Sequence, residues 1–457
     1  MRKTISIFLS LLMVLALFSG CSAEGTTGEE DSSSEAEEKP VKTQSLDVII
    51  YDRGGDEEYW QAVIDAFEAA NAGVEVEAYI GKDAGYVLRD RILSGDSPDF
   101  VVLPSDEETG VTAALIKDRA MQPITSLEQV ASSLLIDGAF DNIYCMPYDD
   151  GETYLAPVFF EVEGLIYNKT LMDGNGWTVP STWDEFIALG EQAKTKKISL
   201  FAYAGQDAAS LTGMFASGIA SSVGTEEAEK LFRYEEGAWD STAVRTFLGN
   251  IDKLSYLVAS GSSTKTEQQV LDAFLAGNVL FISGDSSLLA DLSGEESAEE
   301  TSESGSAAET ETVVAEPTFE LGFTGYPTFA ATDKKVTAIT FTEMYIPIEA
   351  ENVDLAEKFL IFQYSDAAAS LCAEKLGEVT PVRKAADLAA ASGITGSRLQ
   401  AYSVLGDLVC ADNFAIESGA NETLSDEFAA LLVSVFKGET DADTFISEMN
   451  GYVKEMQ

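Results

Sequence analysis

The chain has 457 residues, 78 Asp plus Glu against 28 Lys plus Arg, a formal net charge of −50 and no histidine. Without imidazole there is no Ser-His-Asp or Cys-His nucleophile pair, no histidine-based metal motif and no proton shuttle near neutral pH; a field this negative also repels nucleic-acid phosphate and anionic lipid, and no basic run offsets it. At 46% hydrophobic and 10% aromatic residues the chain is globular, with length for roughly two or three domain-sized units, and its partners are expected to be neutral, cationic or metal ions.

Arg2 and Lys3 precede an apolar run from Ile5 to Phe18 that is broken only by Ser6 and Ser10. A bilayer needs about 20 apolar residues, so this shorter stretch reads as an export signal. The segment Leu17-Phe18-Ser19-Gly20-Cys21 resembles the bacterial lipoprotein cleavage box, with Phe18 where that box usually has an aliphatic residue. That resemblance implies a signal peptide over residues 1–20, lipidation of Cys21, and a protein anchored at the cell membrane on its extracytoplasmic face. From 22 to 45 the chain has one isolated Val and no aromatic residue. Such a stretch buries too little apolar area to offset ordering entropy, so residues 21–45 are expected to form a disordered acidic tether.

LDVIIY (46–51) is a short apolar run ending before Gly54-Gly55, and Trp60, Val63, Ile64 and Phe67 then recur at helical spacing. Asp56 stands where a cap is expected, and Asn71-Ala72-Gly73 where the helix should end. VEVEAYI (74–80) alternates as a strand, a helix is predicted near 85–93, and PDFVVL (98–103) is a third strand. This β-α-β-α-β order implies a parallel sheet with right-handed crossovers. APVFFEVEGLIY (156–167) reads as one long extended segment, and Thr182 with Glu185 forms a capping box that opens a helix. ISLFAY (198–203) is a strand, and EQQVLDAFLAGNVLFIS (267–283) is a helix closed by Gly277 and followed by another strand. No glycine-rich phosphate loop is present, so nucleotide chemistry is not expected and no cofactor is predicted.

Residues 293–312 carry seven Glu and no Lys or Arg, and read as a disordered acidic insert. A calcium-binding loop is the alternative, but the regular Asp/Asn spacing and turn glycine of such loops are missing. Cys145, Cys372 and Cys410 are odd in number and widely spaced, so they are expected to be reduced and mostly buried, with a Cys372–Cys410 bridge as the alternative and no metal cluster.

At GLIYNKTLMDGNGWTVPSTWDEF (164–186), Tyr167, Asn168, Lys169, Pro180, Thr182, Trp183 and Glu185 match a Tyr-Asn-Lys strand end followed by Pro-x-Thr-Trp-x-Glu opening a helix. This segment resembles the extracellular solute-binding proteins of ABC importers, in particular the carbohydrate-binding family that includes maltose-binding protein. GDSPDFVVLPSD (95–106), FLAGNVLFISGDSSLL (274–289), GYPTF (325–329), AEKFLIFQYS (356–365) and GEVTPVRK (377–384) extend the resemblance over nearly all of 46–457. It implies a two-lobed, periplasmic-binding-protein-like α/β fold in which each lobe is a mixed, mostly parallel sheet flanked by helices, with the ligand cleft between lobes. The implied N-terminal lobe is 46–158 with 328–365, and the C-terminal lobe is 159–327 with 366–457. Chain crossings are expected near Pro157–Glu163, Phe323–Pro327 and Tyr364–Asp366.

A sugar ring offers an apolar face and a rim of hydroxyls, so its site needs aromatic planes with carboxylates and amides at fixed angles. By position, the resemblance places ligand contacts on Tyr51, Asp52, Arg53, Ser105, Asp106, Glu161, Gln206, Asp207, Asp285 and Ser286. Asp52 and Arg53 have an exposed turn pair as their alternative, and Asp285 a helix cap. Glu161 is singled out because a carboxylate inside FFEVEGLIY is costly to bury unpaired, and one of Phe159 and Phe160 is expected to face the cleft. Trp60, Trp177, Trp183 and Trp239 are assigned mainly to the core. Asp285-Ser286-Ser287 stand where maltodextrin binders often carry a Trp, which argues against a long glucan.

The implied function is capture of a sugar or oligosaccharide by a monomeric lipoprotein and its delivery to the permease subunits of an ABC importer, with no bond made or broken. A polyamine or other solute is the alternative ligand. A secreted glycosidase with paired carboxylates, Glu161 and Asp106 first among them, is the alternative of a different class.

Overall fold

The computed structural model describes residues 44–104, 109–127, 134–140, 145–148, 150–206, 211–293, 317–333, 335–405, 409–411 and 424–456. The predicted signal segment, Cys21, Ser105, Asp106, Asp207 and the predicted acidic insert from 294 onward lie outside these residues, as does the predicted tether up to residue 43.

Strand β1 (Gln44–Tyr51) is buried on both faces at Val48, Ile49 and Ile50, as a central parallel strand requires. It starts two residues earlier than predicted, because Gln44 N–H reaches Gly73 O at 2.8 Å and the Ser45 hydroxyl reaches Glu77 at 2.9 Å. Helix α1 (Glu57–Ala70) buries Tyr59, Trp60, Val63, Ile64 and Phe67 on one stripe. Asp56, predicted as its cap, is helical in backbone and makes no capping bond. Asp52 instead braces the loop that leads into the helix: its Oδ1 accepts the N–H of Gly54, Gly55 and Asp56 at 2.9, 3.0 and 3.0 Å. Asn71 ends the helix as expected, with Nδ2 donating to Phe67 O at 2.8 Å. β2 (Val74–Gly81), α2 (Ala84–Ser94) and β3 (Phe100–Pro104) complete the first unit, in which β1 lies between β2 and β3 and is parallel to both.

After α3 (Val111–Lys117) the chain enters β4 (Leu155–Val162) and, one residue later, β5 (Gly164–Asn168). The predicted single extended segment is therefore two strands in two different sheets, divided at Glu163. Next come α4 (Lys169–Asn175), α5 (Trp183–Thr195), β6 (Ser199–Ala202), α6 (Thr212–Val223), α7 (Thr225–Phe232) and α8 (Thr242–Leu254). They are followed by α9 (Glu267–Leu275), β7 (Val279–Gly284), α10 (Ser286–Leu292), β8 (Leu321–Thr324) and β9 (Thr337–Tyr345). The capping box forms as read: Thr182 Oγ1 accepts Glu185 N–H, and Glu185 Oε2 accepts Thr182 N–H, each at 3.3 Å. The chain ends in α11 (Val353–Phe362), α12 (Asp366–Lys375), α13 (Ala385–Ala391), α14 (Gly396–Val404), β10 (Val409–Ala411), α15 (Ser425–Phe436) and α16 (Ala442–Met456).

Two mixed sheets result. The first has the order β10-β9-β3-β1-β2, with β4 on the other side of β9; the second is β6-β7-β5-β8. In the second sheet only β6–β7 is parallel, and β5 is antiparallel to both its neighbours. β5 enters this sheet from the first through the single residue Glu163. Trp60, Phe159 and Phe160 belong to one core, and Trp183, Phe215 and Trp239 to a second; Trp177 packs partly buried against the latter. Helix α12 packs on α1, and Val379 O accepts Phe160 N–H at 2.6 Å. Helix α12 and the loop after it thus rest against elements of the first sheet, whereas α15 and α16 pack in the second core. Cys145 and Cys372 are buried free thiols, so Cys372 forms no bridge.

Candidate functional site

Strand directions decide where a site can form. β3 and β4 both run antiparallel to β9, so β1, β3 and β4 end at the same edge of the first sheet. In the second sheet Gly164, the first residue of β5, pairs with Gly284, the last of β7. Glu163 therefore joins the carboxyl-end edge of one sheet to the carboxyl-end edge of the other. Loops leaving such edges surround the crevice where α/β proteins bind ligands.

On the first sheet's side stand Tyr51, Asp52, Arg53 and Glu161. Tyr51 is half-buried against the apolar cluster that includes Leu88 and Tyr148. Burial opposes the charge of Asp52, yet the three N–H groups and Lys82 outweigh it and hold its pKa below the usual value. Arg53 donates from Nε to Asp56 at 2.8 Å and from Nη1 to Glu378 at 3.0 Å, and its Cζ lies 4.2 Å from the centre of the Phe159 ring. Asp52 is thus a loop brace and Arg53 part of an ion-pair cluster; neither is a free turn pair. Phe159 and Phe160 are only 2% and 0% exposed. The expectation that one of them faces the cleft fails, because Arg53 and Tyr59 cover Phe159 and the other ring turns into the core. Glu161 is half-buried on β4, opposite Thr340 of β9.

On the second sheet's side, Gly284 leads into Asp285, whose Oδ1 accepts Leu288 N–H at 2.8 Å and so caps α10. Ser286 Oγ accepts the N–H of Val162 at 3.1 Å, fastening this helix to β4. Burial pushes the Asp285 carboxyl above its ordinary range, with the N–H groups of Leu288 and Ser287 offsetting part of the rise. Gln206 donates from Nε2 to Thr264 O at 3.0 Å. A cavity of ≈ 460 Å³ opens here, lined by Tyr203, Glu267, Gln268, Ser283, Asp285 and Leu288 among others, a size in the range of small-molecule sites. Beside it the hydroxyls of Ser283 and Tyr326 are 2.6 Å apart.

A larger cavity of ≈ 680 Å³ lies at the opposite edge of the first sheet and includes Asp47, Asp96 and Asp99. There Asp99 accepts the N–H of Asp47, Glu351 and Asn352 at 3.1, 2.9 and 2.8 Å, so its carboxylate holds the fold together. Among the described residues no group of three or more Cys, Asp or Glu side chains could hold a metal ion.

Residues 53–370 match the family model described as bacterial extracellular solute-binding protein. The chain belongs to that family. Two curated relatives resemble this solute-binding protein over about half of each chain. The multiple sugar-binding protein of Streptococcus mutans is 29% identical over 209 residues, 44% of this chain and 47% of its own. The diacetylchitobiose binding protein NgcE of Streptomyces coelicolor is 22% identical over 258 residues, 54% and 55% of the two chains. In fold, the apo form of RafE from Streptococcus pneumoniae superposes with a TM-score of 0.66 at 18% identity, covering 92% of this chain and 99% of that one.

Three groups at the solute-binding protein's crevice escaped sequence reasoning. Glu378 reaches Arg53 from 325 positions away, a pairing that no local pattern announces. The Ser283–Tyr326 hydroxyl pair likewise joins β7 to the segment after β8. Glu163 sits where a side chain on Gly213, in the first turn of α6, would collide with it. A carboxylate against that positive helix end is stabilised, and the Glu163/Gly213 pairing was legible only as a glycine with no turn to explain it. No helix among the described residues is long and apolar enough to cross a membrane.

Proposed function

We propose that the protein captures a neutral sugar, of one or a few rings, in the crevice where the carboxyl-end edges of its two sheets meet, and passes it to the permease of an ABC importer. The observation that carries the reading is the set of groups gathered there: Arg53 and Glu161 on one side, and Asp285, Tyr203, Gln268 and the Ser283–Tyr326 hydroxyls beside a cavity on the other. Carboxylates, amides and hydroxyls at fixed angles suit sugar hydroxyls, and relatives with sugar-binding names support the same class. Ser105, Asp106 and Asp207 join this set by position in the sequence. Closure is a hinge motion in which contacts from both sides favour the closed state. The protein acts as a monomer held to the membrane by a lipid on Cys21, and binds without catalysis.

Thermal-shift and calorimetric screening of the purified protein against neutral mono- and oligosaccharides, with putrescine and spermidine alongside, tests the ligand class. Stabilisation by a sugar is expected. Stabilisation by polyamines alone overturns the sugar reading and leaves the receptor reading standing, whereas release of reducing ends from a bound glycan overturns the non-catalytic reading. Cys21→Ala should free the protein from the membrane fraction of the producing cell; retention there defeats the lipid anchor.

A further inference from the structure

Arg53 is held more firmly than a lone loop arginine. Its Nε and Nη2 donate to the two oxygens of Asp56 at 2.8 and 3.4 Å, its Nη1 donates to Glu378 Oε1 at 3.0 Å, and the Phe159 ring supports the plane from below. Asp56 is a local partner, but Glu378 arrives from a distant loop that is itself pinned. Its carbonyl oxygen accepts the Tyr402 hydroxyl at 2.7 Å and the Cys372 thiol at 3.5 Å, and the next carbonyl, Val379 O, is bonded to β4. Gly377 precedes it at φ +68°, with the Arg398 guanidinium occupying the space a side chain would fill, so the turn that delivers Glu378 favours glycine.

Three of the five guanidinium N–H groups are used in this way, leaving one on each Nη without a partner among the described residues. We propose that Glu378 is a positioning residue of the ligand site, which acts through Arg53 to present those two donors at a fixed angle to neighbouring hydroxyls of a neutral sugar. This rests on the sugar-binding reading above. Two carboxylates around one guanidinium leave the group net negative, so it suits a hydroxyl oxygen and disfavours an anionic sugar acid.

The test combines calorimetry with raffinose and diacetylchitobiose as probes and a ligand-free measurement. The latter is the rate of rotation about the Arg53 Nε–Cζ bond, read by NMR from exchange between its two Nη signals. Glu378→Ala is expected to weaken binding of the tighter probe about tenfold when Arg53 is present and by less than about twofold in an Arg53→Ala background, and to speed the rotation. Glu378→Gln, whose amide oxygen still accepts from Nη1, should restore both. Additive losses in the two backgrounds, or a rotation rate unchanged in Glu378→Ala, overturn the proposal. If neither probe binds the wild type, the sugar reading fails for these ligands and the rotation rate alone decides the role of Glu378. Should the alanine variants not fold, Glu378→Leu, which fills the buried space without an acceptor for Nη1, and Arg53→Lys carry the same cycle.

Discussion

The Ser286 hydroxyl accepts the backbone N–H of Val162 at 3.1 Å, so the first turn of α10, which follows the second sheet, is tied to the last residue of β4 in the first. Both residues are buried, Ser286 at 8% exposure and Val162 at 0%. Ser286→Ala strands a buried donor and is expected to cost about 1–3 kcal/mol. Urea unfolding should show a lower midpoint at unchanged slope; an unchanged midpoint would mean that water replaces the hydroxyl.

Asp285 both caps a helix and lines the crevice cavity, and two substitutions separate these roles. Asparagine caps as well as aspartate, while alanine loses about 1 kcal/mol. Asp285→Asn should therefore change ligand affinity without lowering the melting temperature, and Asp285→Ala should lower both. The pH dependence follows from burial, which raises this carboxyl's pKa in the folded protein above 3.8. The folded state then binds the proton more tightly than the unfolded chain, so the wild type loses stability relative to Asp285→Asn as pH rises from 3.8 through the folded pKa. Parallel denaturation series of the two proteins across that window check the sign.

Glu185 has the opposite sign. The Ser181 N–H, the Ser181 hydroxyl and the Thr182 N–H bond its carboxylate and lower its pKa below 4.5. Its contribution is present above 4.5 and disappears as pH falls through the folded value. The stability difference between wild type and Glu185→Gln should therefore be largest at neutral pH and close on acidification; a difference that is flat with pH would remove the charge from the capping box.

Gly164 has no room for a side chain. A Cβ there would lie 2.5 Å from the backbone oxygen of Thr324 and 2.8 Å from the Phe323 ring. The first of these cannot swing aside without breaking the β5–β8 pairing. Gly164→Ala is expected to lose about 1–3 kcal/mol, measured as a fall in melting temperature, whereas Gly174→Ala, with open space around it, should not lower it by steric conflict.

The elements that sequence reading recovered are those specified by neighbours in the chain. The capping box needs only Thr182 and Glu185, three apart, and the parallel β1–β2–β3 unit needs only strands and helices in alternation. Its misreadings arise where a polar side chain has more than one possible partner. Asp56 sits at the cap position, but Arg53 takes its carboxylate, and Asp52 braces the N–H groups of the loop before the helix rather than those of its first turn. Phe159 alternates correctly along β4, yet whether a ring faces solvent depends on what covers it, and its covers come from β1's loop and α1. Glu378 lies within the matching segment 377–384, but its place beside Arg53 is fixed by a long-range fold contact.

Glu163 alone separates β4 from β5. One residue of backbone spans at most about 3.6 Å, so at this point the two sheets cannot slide apart. Any opening of the crevice here is a swing about a fixed pivot, its travel growing with distance from Glu163. A spin-label pair set close to Glu163 should report almost the same separation with and without ligand, while a pair at the far rim reports the full gape. The amplitude of the movement is thus a matter of leverage, set by how far each contact stands from a single peptide unit.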